Sequence, residues 1–217
     1  MIITQRDRFI EALAGFEINA NEGVIASFDK FAGLIESTNR SLRLLSRGDI
    51  ENLWERHFLD SLAPLLLGFI EKSGTLLDVG SGAGLPGIPL ALSAPEIEVT
   101  MVESAGKKAR FIERAISELK ITNAKVLNIR IEDLPVSESY DYCAIRAVAL
   151  DDVIGAVIPH LKKNGKLVYF CGPGNSLLKN EMDSIAKRTG LKIVEIAPVP
   201  KKISEKGFSL VSFIKEV

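Results

Sequence analysis

Two cysteines, Cys143 and Cys171, and two histidines are all that the 217 residues contain. That scarcity excludes a disulfide framework and leaves no cluster of metal ligands, so no metal is expected. No apolar run approaches the roughly 18 residues that a membrane span needs. The N-terminus, MIITQRDRFIEAL, carries charge within its first helical turns and does not read as a signal peptide. A cytoplasmic chain with no membrane partner is the expectation. No charge sign dominates: 27 Lys and Arg stand against 28 Asp and Glu, a net charge of −1. Bulk electrostatics therefore argue against a chain held to nucleic acid by charge alone.

Charge is nevertheless uneven along the chain. Residues 101–130 carry seven Lys/Arg against three acids, and residues 160–217 carry eleven against five. Residues 131–159 carry a single cation, Arg146, against six acids. The pattern is compatible with a basic face directed at a polyanion, and equally with solvated helix faces.

Residues 1–72 read as helical throughout and form a candidate N-terminal cap. Thr4 can cap a helix running to about Gly15. A segment from about Asn21 to Leu45 places Ile25, Phe28, Phe31, Ile35, Leu42 and Leu45 at helical spacing. Asp49 can cap a third helix, which Pro64 should kink or divide. From residue 74 the period changes. Strand-like runs at 75–79, 97–102, 124–129, 140–145 and 165–171 alternate with helical stretches at 86–94, 106–119, 150–162 and 176–189. Alternation at this spacing implies an α/β fold over residues 73–217, a doubly wound, mostly parallel sheet. The runs 191–197 and 208–214 have no helix between them and should pair as an antiparallel C-terminal ribbon. Five parallel strands ending in such a ribbon match the class I methyltransferase variant of the Rossmann-like fold.

The most informative stretch is 76–89, LLDVGSGAGLPGIP. An apolar strand runs into Asp78, and glycines follow at alternate positions, Gly80, Gly82 and Gly84. Without a Cβ the backbone can turn there and approach a ligand closely. The spacing is GxGxG; a dinucleotide GxGxxG would need glycine where this chain has Leu85. Glu103, about 20 positions on at the end of the next strand, suits a ribose diol. Together these are the S-adenosylmethionine arrangement. Ligands in such sheets bind beyond the carboxyl ends of the strands, which gathers Gly80–Gly84, Glu103, the segment 130–133 and Arg146 around one crevice. Gly80 and Leu85 would line the methionine and adenosine path, with Ile131 and Glu132 near adenine. Arg146, at a strand end, can pair with Asp141, with a cofactor carboxylate or with an RNA phosphate.

Several segments carry a closer resemblance: RHFLDS at 56–61, DVGSGAGLPGIPLAL at 78–92, ESAGKKARFI at 103–112, RIED at 130–133 and IRAVA at 145–149. In order and spacing they resemble the ribosomal small-subunit methyltransferase G family, also called GidB, over most of residues 40–175. That resemblance implies a cofactor-dependent enzyme that methylates nitrogen 7 of one guanosine in bacterial 16S ribosomal RNA. It also implies that Gly80, Leu85, Ile131, Glu132 and Arg146 contact the cofactor. The chain departs from the family at Arg43-Leu44-Leu45, at Cys171-Gly172-Pro173-Gly174 and at Ser209, positions that bear on RNA contacts.

Absences narrow the chemistry further. No Asn-Pro-Pro-Phe-like loop of exocyclic-amine methylators occurs, and neither cysteine sits in the Pro-Cys setting of a cytosine carbon-5 methylator. Guanine nitrogen 7 has a free lone pair and needs no general base, so in-line placement of that lone pair, without a covalent enzyme intermediate, can carry catalysis. Arg146 and His57 are the candidate catalytic residues. Arg56, His57, Lys107, Lys108, Lys201 and Lys202 are candidate RNA contacts. The partner would be 16S rRNA, the small subunit or an assembly intermediate, met by a monomer. Two other readings stand beside this one. One is a class I methyltransferase for a small molecule or protein; the other is a cofactor-sensing RNA-binding module without turnover.

Overall fold

A computed structural model describes residues 4–16, 18, 20–172, 178–204 and 207–216. The N-terminal helices start where short polar side chains can satisfy their first amides. Thr4 and Asp7 exchange hydrogen bonds as a capping box for α1, Gln5–Gly15. The Asn21 carboxamide accepts from Val24 N at 2.9 Å to open α2, Glu22–Asn39. One face of α2 buries Ile25, Phe28, Phe31, Ala32 and Ile35. It meets Phe9, Trp54 and Phe58 in an aromatic cluster, with Phe31 stacked on Phe58 at 5.4 Å.

Three boundaries of the N-terminal helices differ from the sequence reading, each for a local reason; farther on, the helix expected over 150–162 ends at Val157, and residues 161 and 162 already belong to a strand. The second helix stops at Asn39 instead of Leu45, because the Asn39 carboxamide oxygen takes the amides of Leu44 and Leu45 at 2.8 and 2.9 Å. Those bonds offer the chain an alternative to continuing the helix. Ser46, not Asp49, caps the short helix α3, Arg47–Ile50. The third helix is not divided at Pro64: a π-helical segment, Leu53–Leu59, passes directly into α4, Asp60–Leu66, and Pro64 lies inside α4. The junction at Asp60 is four residues before Pro64, at the carbonyl that the proline ring would crowd.

Seven strands follow: β1 Ser73–Val79, β2 Glu96–Val102, β3 Ala124–Leu127, β4 Tyr140–Ile145, β5 Leu161–Cys171, β6 Lys192–Pro198 and β7 Ser209–Ile214. Their spatial order is β3-β2-β1-β4-β5-β7-β6, parallel except for β7, which runs antiparallel to both neighbours. This is the expected doubly wound sheet with its C-terminal ribbon. Helices α5 (Gly87–Ser93), α6 (Gly106–Leu119), α7 (Leu150–Val157) and α8 (Leu178–Thr189) connect the strands. Residues 176 and 177, expected to start α8, lie outside the described residues.

Both faces of the sheet are covered, so the central strands are apolar on both sides. Leu76, Val99, Ala144 and Val168 face one core cluster, which runs without a break into Phe9, Phe28 and Phe58 of the N-terminal helices. Leu77, Val79, Cys143 and Leu167 face the other, under α7 and α8. The strand order reverses between β1 and β4, which opens a crevice above their carboxyl ends.

Candidate functional site

A cleft of about 810 Å3 occupies that position, a size suited to a small ligand. Its floor is the turn after β1. Gly80 N and Ser81 N both donate to Val102 O, at 2.9 and 3.3 Å, bending the chain sharply over the end of β2. Gly80 and Gly82 have φ of 74° and 57°, where a side chain is strained. A Cβ on Gly82 would meet only Gly80 O at 3.8 Å, so its open side faces the cleft. Glu103 borders the turn. Its carboxylate accepts from Gly82 N at 2.8 Å and Ala105 N at 2.7 Å, and Asn128 holds its backbone carbonyl at 2.8 Å. Four lone-pair positions on a carboxylate leave two for ligand hydroxyls.

Below the turn Asp78 is fully buried. One oxygen accepts from Gly87 N at 2.9 Å; the other has no partner among the described residues. Burial pushes its pKa up to about 7, against the opposing pull of the Gly87 amide and of the nearby Ser81 hydroxyl, which itself donates to the Asp78 backbone carbonyl at 3.1 Å.

Arg146 lies just beyond β4 and lines the cleft. Asp141 is not its partner. That carboxylate takes Thr75 N and Oγ1 at 2.9 and 2.7 Å and pairs with Lys162 at 2.9 Å, at the opposite end of β4. The Arg146 guanidinium instead reaches the N-terminal helices, donating to Ser61 Oγ at 2.6 Å, Arg56 O at 2.8 Å and His57 O at 3.1 Å. Its Cζ sits 5.6 Å from the Phe170 ring centroid, and Asp60 Oδ2 is 3.8 Å from Nη2. The π-helical segment is thereby tied to the strand end, and its next turn forms one wall of the cleft.

On that wall Asp60 and His57 stand side by side. Burial pushes Asp60 up to about 6, opposed by Arg146 and the Ser204 hydroxyl. Burial, followed by the Arg146 charge, pushes His57 down to about 4 against the pull of Asp49, so the imidazole is neutral near pH 7. Arg56 pairs with Asp49 at 2.6 Å.

The cleft brings together Gly80, Gly82, Leu85, Glu103, Arg146, Arg56, His57 and Lys108 among the residues singled out from the sequence. Others fall elsewhere. A Cβ on Gly84 would stand 2.7 Å from Ile88 Cδ1, so this third glycine serves the packing of the turn on α5. Ile131 is buried in the second core cluster, and Glu132 is exposed on a 3-10 turn; neither lines the cleft. Lys107 and Lys201 are exposed, and Lys202 Nζ lies 4.4 Å from the centroid of the Phe16 ring. Both cysteines are buried, and Cys171 also borders the cleft. Of the departures from the family pattern, residues 173 and 174 lie outside the described residues. The sequence reading missed Phe170 and Phe208, stacked at 5.7 Å and both lining the cleft. It also missed the open carboxylate of Asp60. Among the described residues no group of three or more metal-ligating side chains occurs, and no helix is long and apolar enough to cross a membrane.

Known proteins with this fold include magnesium protoporphyrin IX methyltransferase from Synechocystis PCC 6803, with a TM-score of 0.61 at 13% identity over 85% of this chain and 97% of that one. The fibrillarin of Aeropyrum pernix gives a TM-score of 0.55 at 15% identity, over 71% and 74%. In sequence, the Ribosomal RNA small subunit methyltransferase G of Lactococcus lactis subsp. lactis is 31% identical over 97% of this chain and 91% of that protein. Its namesake from Xanthomonas euvesicatoria pv. vesicatoria is 42% identical over 69% and 65%. A family model described as rRNA small subunit methyltransferase G matches residues 24–196. The chain belongs to the rRNA small subunit methyltransferase G (GidB) family.

Proposed function

We infer that the protein is a cytoplasmic, S-adenosylmethionine-dependent methyltransferase acting on nitrogen 7 of a guanosine in bacterial 16S ribosomal RNA. The observation that carries this reading is the cleft's composition: a cavity of about 810 Å3 lined by the glycine turn and Glu103 together with the aromatic pair Phe170 and Phe208 and the polar residues His57 and Asp60. The group fits the residues present. Gly82 leaves its Cβ position open, Glu103 has lone pairs for the ribose hydroxyls, and Leu85 gives an apolar surface beside them.

When bound, the cofactor supplies an electrophilic methyl group. The protein's own part is placement. The glycine turn and Glu103 fix the donor; the wall from His57 to Asp60 and the Phe170–Phe208 pair hold the acceptor base. Nitrogen 7 brings its own lone pair, so no enzyme nucleophile is required. His57 is neutral, and Cys143 is fully buried with its thiol pKa raised by burial. Alignment and exclusion of water are what remain for catalysis. Because the purine N7 edge of duplex RNA lies in a deep, narrow groove, an unpaired guanosine is the target. Arg56 and Lys108 at the cleft provide phosphate contacts.

Nucleoside mass spectrometry of small-subunit rRNA from cells with and without the gene tests this reading. One 7-methylguanosine should vanish on deletion and return when the protein and cofactor are supplied to the unmethylated subunits. An unchanged 7-methylguanosine content would overturn it.

A further inference from the structure

Asp60 has an unusual position for a carboxylate. It is 6% exposed, lines the cleft, and its Oδ1 has no hydrogen-bond partner among the described residues. Buried polar atoms in native proteins are nearly always paired, and an unpaired oxygen on a residue of the cleft wall marks a place where a small shift of that wall lets a ligand supply the donor. Neither neighbour closes that gap: the Ser204 hydroxyl, which draws the Asp60 pKa down, makes no hydrogen bond to Oδ1, and Arg146 is turned elsewhere. It is 3.8 Å from the other oxygen, Oδ2, and its guanidinium is engaged by Ser61 and by the carbonyls of Arg56 and His57. The same guanidinium touches Phe170, which stacks on Phe208, so a carboxylate and an aromatic platform meet at one end of the cleft.

We propose that Asp60 is the residue that selects guanine, accepting hydrogen bonds from its N1–H and 2-amino group while the ring lies against the Phe170–Phe208 wall. This rests on the guanosine reading given above. Among the bases only guanine presents two adjacent donors on that edge, and a carboxylate is acceptor-only when ionised. The edge lies opposite nitrogen 7, so a base held there turns its N7 away from Asp60 and leaves it free for methylation. Methylation puts positive charge on the purine and makes N1–H a better donor. The contact with an anionic Asp60 therefore strengthens as the methyl group transfers, which is the condition for lowering the barrier and not merely binding the base.

The test uses GMP and IMP, which differ only in the 2-amino group, as competitors of methyl transfer to small subunits lacking the modification. GMP should inhibit the wild-type protein at a concentration about tenfold or more below IMP, the discrimination expected of a bidentate base contact. In Asp60→Asn the two nucleotides should inhibit within about twofold of one another, with cofactor affinity by calorimetry retained. Equal inhibition of the wild type by both, or none by GMP, overturns the proposal and needs no variant. So does an Asp60→Asn protein that keeps the preference, or one that no longer binds the cofactor by calorimetry, which would assign Asp60 to the cofactor. If the subunits gain no 7-methylguanosine from the wild type, the guanosine reading itself has failed; if they gain it while GMP and IMP compete equally, the role of Asp60 alone has failed.

Discussion

Arg146 Nη1 donates to the Ser61 hydroxyl at 2.6 Å, joining the end of a central strand to a helix 85 positions earlier in the chain. Two further bonds to the carbonyls of Arg56 and His57 make the guanidinium a strap between the sheet and the cleft wall. Truncation at this largely buried site would leave three acceptors and the Asp60 carboxylate without their cation. Arg146→Ala should therefore cost about 3–5 kcal/mol of unfolding free energy, the range for breaking a buried charged contact. Arg146→Lys should recover only part of it, since one ammonium cannot span the three acceptors of a planar fork. Chemical denaturation decides the matter: an alanine variant within about 1 kcal/mol of wild type would mean that the strap contributes no more than a surface pair.

Two glycines of the turn, alike in sequence, should behave differently. Gly82 has φ of 57° and open space at its Cβ position, whereas Gly84 would put a Cβ 2.7 Å from Ile88 Cδ1. Gly82→Ala should cost roughly 1–2 kcal/mol of backbone strain and weaken the cofactor by calorimetry. Gly84→Ala adds a clash to similar strain; it should destabilise by more, yet leave the affinity of the folded fraction close to wild type. The reverse ranking in the binding data would place Gly84 at the cofactor and Gly82 in a merely structural turn.

Burial of Asp78 has a consequence for the pH dependence of stability. Its folded pKa, about 7, lies above the ordinary value of 3.8. The native state thus holds a proton that the unfolded chain releases between those values. The stability this contributes is fully present below about pH 4 and is lost as pH rises to about 7. Other groups add to the total profile, and His57 acts in the opposite sense, because its folded pKa is depressed to about 4 and its contribution grows as pH rises through that range. A comparison with Asp78→Asn isolates the one carboxyl. The Asn variant should gain on the wild type by on the order of 2–4 kcal/mol between pH 4 and pH 7.5. A constant difference across that range would mean that Asp78 ionises in the folded protein as it does in the unfolded one.

The order of strands and helices was legible in the sequence because the sheet is buried on both faces. Runs such as TLLDV and IEVTMV carry no competing period. The glycine turn and Glu103 were legible because backbone geometry demands particular residue types there. What escaped were features decided by tertiary contact. Asn39 ends a helix whose apolar spacing continues to Leu45, since its side chain captures two amides downstream. Phe170 and Phe208 come together only through the antiparallel pairing of β5 with the ribbon, which sets Phe170 opposite Leu210. Asp60 stands in the RHFLDS segment with nothing in its spacing to set it apart, and only the packing of α4 beside Arg146 reveals a buried carboxylate with an unpaired oxygen.

The chain's single tryptophan, Trp54, offers a direct probe of whether the N-terminal helices and the sheet behave as one cooperative unit. Trp54 packs edge-on against Phe9 and Phe58, each at 5.3 Å, and Phe58 is fully buried against Phe28 and Phe31. The same apolar cluster continues into Leu76 of β1 and Ile88 of α5, so the cap cannot open without exposing one face of the sheet. Denaturant unfolding followed by tryptophan fluorescence, which reports the cap, should therefore coincide with far-UV circular dichroism, which reports both parts. Phe58→Ala should remove about 3–5 kcal/mol, the usual cost of emptying a buried aromatic site, and shift both transitions together. A fluorescence transition that moves to lower denaturant alone would make the cap a separately folding unit and confine the role of Arg146 to docking it.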